Sequence, residues 1–328
     1  MQGHVGGKLF LWGEYGVLSG VPAAVLALHP LFRLVVRDGL SGSRPADCFH
    51  PLSPAGKLVA IAGDRWQANS RIEFLDPLQG RGGLGASTAQ YALLWAFLQL
   101  GSIEEAWKTY RRLTGAGGAD NATKAAPSGA DLVGQMVGGW NRIELVRPEE
   151  ENESVHWSQL PMEAALSDAG AVLLAFSATR LPNRKIATHE HLDQAHVVKR
   201  VRDSSFRSEL EQISADGNAA VVAADREKLG GVLTEYAEAL ARSGLELPAA
   251  REDRMLVRAL PGVLGAKGGG ALLADALWVL VDGDRTGESL AGVTRWAEGR
   301  GLELVYQSGK ELMAGPLQFD LSRSTTEK

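Results

Sequence analysis

The sequence predicts an α+β protein of two domains, and two observations carry that prediction. Strand-like segments open the chain, helix-like segments fill the middle of each half, and strands return afterwards. The length, 328 residues, corresponds to about two domains at ~100–200 residues each. An acidic, polar stretch over 147–158 reads as a loop near the boundary, which divides the chain into 1–160 and 161–328.

The elements follow in order. Lys8–Glu14 is a strand running into a glycine turn, and Leu31–Arg37 alternates like a half-buried strand. Between them Pro22–Leu28 is small and apolar, a strand or a short buried helix. Residues 40–69, rich in Ser, Pro and Asp, read as hairpins and loops, and Arg71–Leu75 as a strand. Ala86–Leu100, rich in Ala and Leu, is a helix, followed by a second helix at Ile103–Leu113. Asp131–Val137 is helical and Trp140–Leu145 a strand. In the second half Ala171–Phe176 is a buried strand. Helices are expected over 188–212, Asn218–Leu229, Gly231–Ser243 and Glu252–Leu260. Leu277–Asp282 is a strand, Leu290–Gly299 a helix, and Leu302–Tyr306 closes the pattern with a strand.

Composition narrows the function. Lys and Arg total 34 against 39 Asp and Glu, a net charge of −5, which argues against a nucleic-acid or anionic-membrane binder, since those need a basic face. The single cysteine, Cys48, excludes an intramolecular disulfide and a cysteine-based zinc site. No leader-like start and no run near the ~18 apolar residues of a membrane span is visible, so a cytoplasmic location is expected.

Glycine is the unusual count, 39 residues, and it is clustered: at 3–20, at 80–85, at 115–139 and at 262–270. The second cluster, Gly80-Arg81-Gly82-Gly83-Leu84-Gly85, fits G-x-G-x-x-G between a strand and a helix. A dinucleotide-binding unit needs a second strand after that helix, and here another helix follows, which leaves a Rossmann-type oxidoreductase as a minor alternative. A P-loop needs Lys-Ser/Thr where Ala86-Ser87 stands. The physics outlasts both motifs: exposed glycine N–H groups at a helix start make an anion-binding end, and Ser87 and Thr88 add hydroxyls there.

Four motifs in order give the chain its family resemblance. Gly7-Lys8-Leu9-Phe10-Leu11-Trp12-Gly13-Glu14-Tyr15-Gly16-Val17-Leu18 is similar to the opening of mevalonate-pathway kinases. Gly83-Leu84-Gly85-Ala86-Ser87-Thr88-Ala89 is close to G-L-G-S-S-A-A, Pro127-Ser128-Gly129-Ala130-Asp131 resembles P-S-G-x-D, and Gly265-Ala266-Lys267-Gly268-Gly269-Gly270 resembles a C-terminal glycine-rich motif. The chain therefore resembles the GHMP kinases. That resemblance implies an N-terminal ribosomal-S5-like domain and a C-terminal ferredoxin-like domain. It also implies ATP and Mg²⁺ as cofactors and a small-molecule acceptor: phosphomevalonate, mevalonate, or the homoserine or sugar of sister enzymes. Neither nucleic acid nor membrane is implied as a partner, and a homodimer is left open, as is a catalytically silent regulator of the same fold.

The resemblance also assigns residues. Asp131 corresponds to the acidic group at the acceptor hydroxyl and Lys8 to the lysine that steadies the transferring charge. Gly82, Gly83, Leu84, Gly85, Ala86, Ser87 and Thr88 correspond to the phosphate loop, with Ser87 and Asp120 as the Mg²⁺ ligands. Each has a purely structural alternative: a solvated strand end for Lys8, and helix caps for Ser87 and Asp131. Acceptor contacts are expected from Glu14, which mainly supports the first motif, from Ser128, and from Arg180, Arg184, Lys185, Thr188 and His189 in a cation-rich loop. Gly268 and Gly269 are expected beside them, with Lys267 as a charge for an anionic substrate. Two departures stand out: Ala86 replaces a serine, and Lys267 interrupts the third motif. Tyr15 in the first motif, and Arg295-Trp296-Ala297 with Leu302–Gln307, lean toward phosphomevalonate; Pro127-Ser128-Gly129 leans toward mevalonate.

Overall fold

The structure is a computed structural model. It describes residues 1–38, 42–66, 70–77, 83–115, 127–146, 153–178, 194–270, 273, 276–310 and 313–320. Asp120, Gly82, Arg180, Arg184, Lys185, Thr188 and His189 lie outside the described residues.

The first half begins with two long strands, β1 (Gln2–Trp12) and β2 (Ala23–Asp38), so the two apolar segments 22–28 and 31–37 form one strand. The 40–69 stretch corrects the expectation of hairpins: Pro45 and Pro54 each open a helix, α1 (Pro45–Cys48) and α2 (Pro54–Ala62). Proline at the first turn lacks only an N–H that a helix start leaves unpaired anyway, and Ser53 caps α2 by accepting from Gly56 N–H. β3 (Ser70–Leu75), α3 (Ala86–Phe97), α4 (Ile103–Thr114), α5 (Ala130–Val137) and β4 (Trp140–Val146) fall where the pattern puts them. The expected loop over 147–158 overlaps a strand instead: β5 (Ser154–Gln159) pairs antiparallel to β4. Only Val155 of that edge strand is buried, which explains its polar composition.

The second half runs α6 (Met162–Asp168), β6 (Ala171–Ala178), α7 (Gln194–Val201), α8 (Ser204–Ala223), α9 (Arg226–Arg242) and α10 (Pro248–Arg258). It ends with β7 (Val263–Gly269), β8 (Ala276–Asp282), α11 (Thr286–Gly299), β9 (Leu302–Gln307) and β10 (Gln318–Asp320). The helix breaks sit at Asp203 and Asp225, whose carboxylates cap α8 and α9, rather than at Gly217 and Gly230, which the helices run through. Gly265, Gly268 and Gly269 of the C-terminal glycine-rich motif lie in strand β7, and Gly270 follows it.

One sheet has the order β10-β1-β2-β4-β5, with β3 also on β2; the other is β7-β8-β6-β9. Every pairing between described strands is antiparallel, so the Rossmann alternative falls: it requires parallel strands. β10 returns the end of the chain to β1.

The second sheet is apolar on both faces, with the period of two that a strand imposes. Leu174, Phe176, Leu277, Val279 and Val281 pack with Val257 of α10 and Val293 and Ala297 of α11. Leu173, Ala175, Trp278 and Leu280 join the main core, which continues through α8 and α9 to Leu9, Leu11 and Trp12 of β1. Helix α9 lies so close to β7 that a Cβ on Gly265 would stand 2.1 Å from the Gly230 carbonyl oxygen. Gly265→Ala is therefore expected to destabilise the protein by about 1–3 kcal/mol through overpacking. Gly292→Ala, in α11 with open space around its Cβ, is expected to stabilise by about 0.5–1 kcal/mol through helix propensity. Urea unfolding of the two variants checks both signs.

Candidate active site

Lys8 sits within β1, not at a solvated strand end, and its side chain is 12% exposed. It shares a strand face with Phe10, whose ring lies 5.1 Å from the ammonium. Its backbone N–H donates to the Leu84 carbonyl at 2.9 Å, outside the sheet ladder, and so ties the second glycine motif to β1. Gly85, at φ 86°, is the N-cap of α3 and lies over the Lys8 stem; a Cβ there would be 2.6 Å from Lys8 Cγ. A side chain at Gly85 would thus meet both backbone strain and a clash.

Helix α5 approaches the same point. Asp131 is in its first turn, and its Oδ2 lies 4.0 Å from Lys8 Nζ. The N-cap of α5 is Gly129, and Asp131 Oδ1 accepts from the next backbone N–H, that of Leu132, at 3.1 Å. One turn later Gln135 is fully buried, and Nε2 donates to the Gly6 carbonyl at 2.7 Å and the Gly85 carbonyl at 3.2 Å. Its Oε1 accepts from the Thr88 hydroxyl at 2.5 Å. Gln135 therefore fastens β1, the glycine loop and α5 together.

From the other side, α4 grips the segment before Asp131. Trp107 Nε1 donates to the Ser128 carbonyl at 2.8 Å, and Arg111 Nη1 donates to the Pro127 carbonyl at 3.0 Å. Arg111 is also paired with Glu153 through two bonds, at 3.2 and 2.7 Å. The Ser128 hydroxyl accepts from Ala130 N–H at 3.3 Å.

The other assigned residues separate. Ser87 is exposed in the first turn of α3 and does not cap it. Gly83 and Ala86 are partly exposed, and Leu84 is buried. Thr88 corrects the expectation: it is buried, and its hydroxyl is turned to Gly85 and Gln135 instead of a ligand. Lys267 is corrected likewise, since its side chain is fully buried and its ammonium lies on Glu14. Gly268 and Gly269 are buried in β7. Among the described residues no cluster of three His, Cys, Asp or Glu is placed to hold a metal ion. For Mg²⁺ the described part of the site offers the Ser87 hydroxyl as an oxygen donor, not a complete ligand set.

Sequence reasoning missed Gln135, Trp107 and Arg111. Gln135 had one available signal, its position four residues after Asp131, which puts both on one helix face. The two α4 residues had none, because their role depends on which loop the helix meets.

Solved structures share this fold. The phosphomevalonate kinase of Streptococcus pneumoniae superposes with a TM-score of 0.68 at 16% identity, covering 94% of this chain and 98% of that one. The fold is that of the GHMP kinases. A second structure of the S. pneumoniae enzyme, in complex with phosphomevalonate and AMPPNP, gives a TM-score of 0.66 at 16% identity over 94% and 99% of the two chains. L. major mevalonate kinase in complex with R-mevalonate gives 0.65 at 16% identity over 94% and 95%. No protein-family profile matches the chain. A search of curated protein sequences also finds no match. No helix among the described residues is long and apolar enough to cross a membrane.

Gln135→Leu removes the fastening between β1, the glycine segment and α5 while keeping the side-chain volume. It is expected to cost about 1–3 kcal/mol, because the Thr88 hydroxyl and the Gly6 and Gly85 carbonyls each lose a hydrogen-bond partner; chemical denaturation measures it.

Proposed function

We propose that the protein is an ATP- and Mg²⁺-dependent kinase that passes the γ-phosphoryl group to a hydroxyl of phosphomevalonate or mevalonate, with phosphomevalonate favoured. The observation that carries this reading is the placement of the Lys8–Asp131 pair, 4.0 Å apart, beside a glycine loop fixed to the Lys8 backbone. Phosphoryl transfer asks for an aligned acceptor oxygen, a group to take its proton, and positive charge where negative charge accumulates.

In this chain Asp131 takes the proton of the acceptor hydroxyl, and Lys8 holds the acceptor oxygen and the transferring charge together. The N–H groups at the start of α3, with the partial positive charge of the helix end, receive the nucleotide phosphates. Mg²⁺, when bound, neutralises phosphate charge; Ser87 and Asp120 are the residues proposed to hold it.

The acceptor preference rests on Tyr15 in the first motif and on the likeness to a structure that holds phosphomevalonate. The C-terminal stretch lends it less weight. Ala297 is buried behind the second sheet with Trp296 packed against the same cluster, so that likeness concerns core packing. The cation-rich loop of Arg180, Arg184 and Lys185 remains the proposed site for an acceptor phosphate. The Ser128 segment, held by Trp107 and Arg111, favours mevalonate as the second reading.

A coupled ADP-release assay over mevalonate, 5-phosphomevalonate, homoserine and galactose tests the reading, with turnover expected on 5-phosphomevalonate. Turnover with none of the four would reject it and favour a silent protein of the same fold. Asp131→Asn and Lys8→Met are each expected to lower kcat by ~10²-fold or more. A near-parental rate in either variant removes that residue from the chemistry.

A further inference from the structure

Two opposite charges meet where β1 ends against the second sheet. Lys267, on β7, has a fully buried side chain whose ammonium donates to Glu14 Oε1 at 2.5 Å and to the Gly268 carbonyl at 2.7 Å. Glu14 stands two residues beyond β1 and six beyond Lys8. The third motif, a glycine run in the family the chain resembles, thus carries a lysine that reaches the first motif.

The turn it reaches is strained. Tyr15 has φ 61° and ψ −46°, and Gly16 N–H donates to the Glu14 carbonyl at 2.6 Å, a three-residue turn of the unfavourable hand. Such backbone persists only where its surroundings hold it. The Tyr236 hydroxyl donates to the same carbonyl at 2.9 Å, and Lys267 holds the carboxylate. The aromatic face of Tyr236 also lies 5.9 Å from the Lys267 ammonium.

Stability alone does not account for the pair. Taking two charges out of water commonly costs as much as their attraction returns. Burial pushes the Glu14 carboxyl above its ordinary range and the Lys267 ammonium below its own, and each opposes the shift of the other. Glu14 Oε2 is buried with no hydrogen-bond partner among the described residues. Lys8 acts on both charges through space, and Glu246 acts on Lys267. Two ion pairs, Lys8 with Asp131 at 4.0 Å and Lys267 with Glu14 at 2.5 Å, are thus connected through β1 and the turn that follows it.

We infer that Lys267 is a positioning residue for the phosphoryl-transfer site: by holding Glu14 it fixes, against β7, the turn that ends β1, the strand that carries Lys8. This rests on the kinase reading. It also means that Lys267 does not bind an acceptor phosphate, because its ammonium is engaged inside the protein.

Lys267→Met alone leaves Glu14 buried without a partner and is expected to unfold earlier. The deciding variant is Glu14→Gln with Lys267→Met, which removes both charges. Its thermal midpoint is expected within about 5 °C of the parent. Its kcat is expected to fall ~10-fold, with KM for ATP changed less than ~3-fold. The side-chain NMR signal of Lys8 in protein labelled at lysine Cε, assigned with Lys8→Arg, is expected to move, and that of Lys108 to stay. Lys267→Arg, which keeps the charge, is expected to hold the Lys8 signal near its parental position. Parental kcat and an unmoved Lys8 signal in the double variant would overturn the inference and leave the pair a structural one. A rise confined to KM for 5-phosphomevalonate, with Lys8 unmoved, would overturn it in favour of direct phosphate binding. If the parent protein turns over no acceptor, the kinase reading fails, and the Lys8 signal still decides whether the pair sets the surroundings of that lysine.

Discussion

The hydrogen bond from Lys8 N–H to the Leu84 carbonyl, 2.9 Å long, is the contact on which the arrangement of the site depends. It joins strand β1 to the residues just before α3, where Leu84 is buried in the main core. Gln135 completes the junction by bonding Gly6, Gly85 and Thr88 at once. Gly6, Thr88 and Gln135 are buried, so their bonds are ones that water could not readily replace. The loop, the strand and the start of α5 are consequently placed relative to one another by satisfied polar groups, with apolar packing filling the space behind them.

The second sheet enters the same construction through β1. Trp278 of β8 donates its indole N–H to the Phe10 carbonyl at 2.6 Å, and its ring lies 5.9 Å from that of Trp140 on β4. Tyr236 and Lys267 act on Glu14 just beyond the strand. β1 is thus held by its own sheet on both edges and by side chains of the second sheet and α9 at its far end. Lys8 lies between these fixed points, 4.0 Å from the Asp131 carboxylate.

Much of this was legible in the residues. Clustered glycines marked three of the places where backbone comes close to something, and in the second cluster the neighbour is Lys8 itself. The buried strands β6 and β8 and the helix α3 were readable because their apolar runs admit few alternatives. The errors have physical causes. Proline suggested loop at 45 and 54, where it in fact starts helices, because its missing N–H does no harm in a first turn. β5 looked like a linker because an edge strand with one buried residue carries almost no apolar alternation. Gly217 and Gly230 looked like breaks, although both are accommodated inside helices where a neighbour needs the room: Trp12 at the first and Leu264 at the second.

The sequence by itself determined the α+β class and the position of most elements, and a likeness to short family motifs singled out Lys8, Asp131 and the glycine loop as candidates. Those follow from local periodicity and from motifs a few residues long. Only the tertiary structure decided which polar side chains serve the site and which serve the frame. Thr88 and Lys267 look like ligand-binding groups in the sequence, yet one is turned to Gln135 and the other to Glu14, a residue 253 positions away. A hydroxyl or an ammonium carries no local mark of its partner. The partner is set by which strands and helices the packed core brings together.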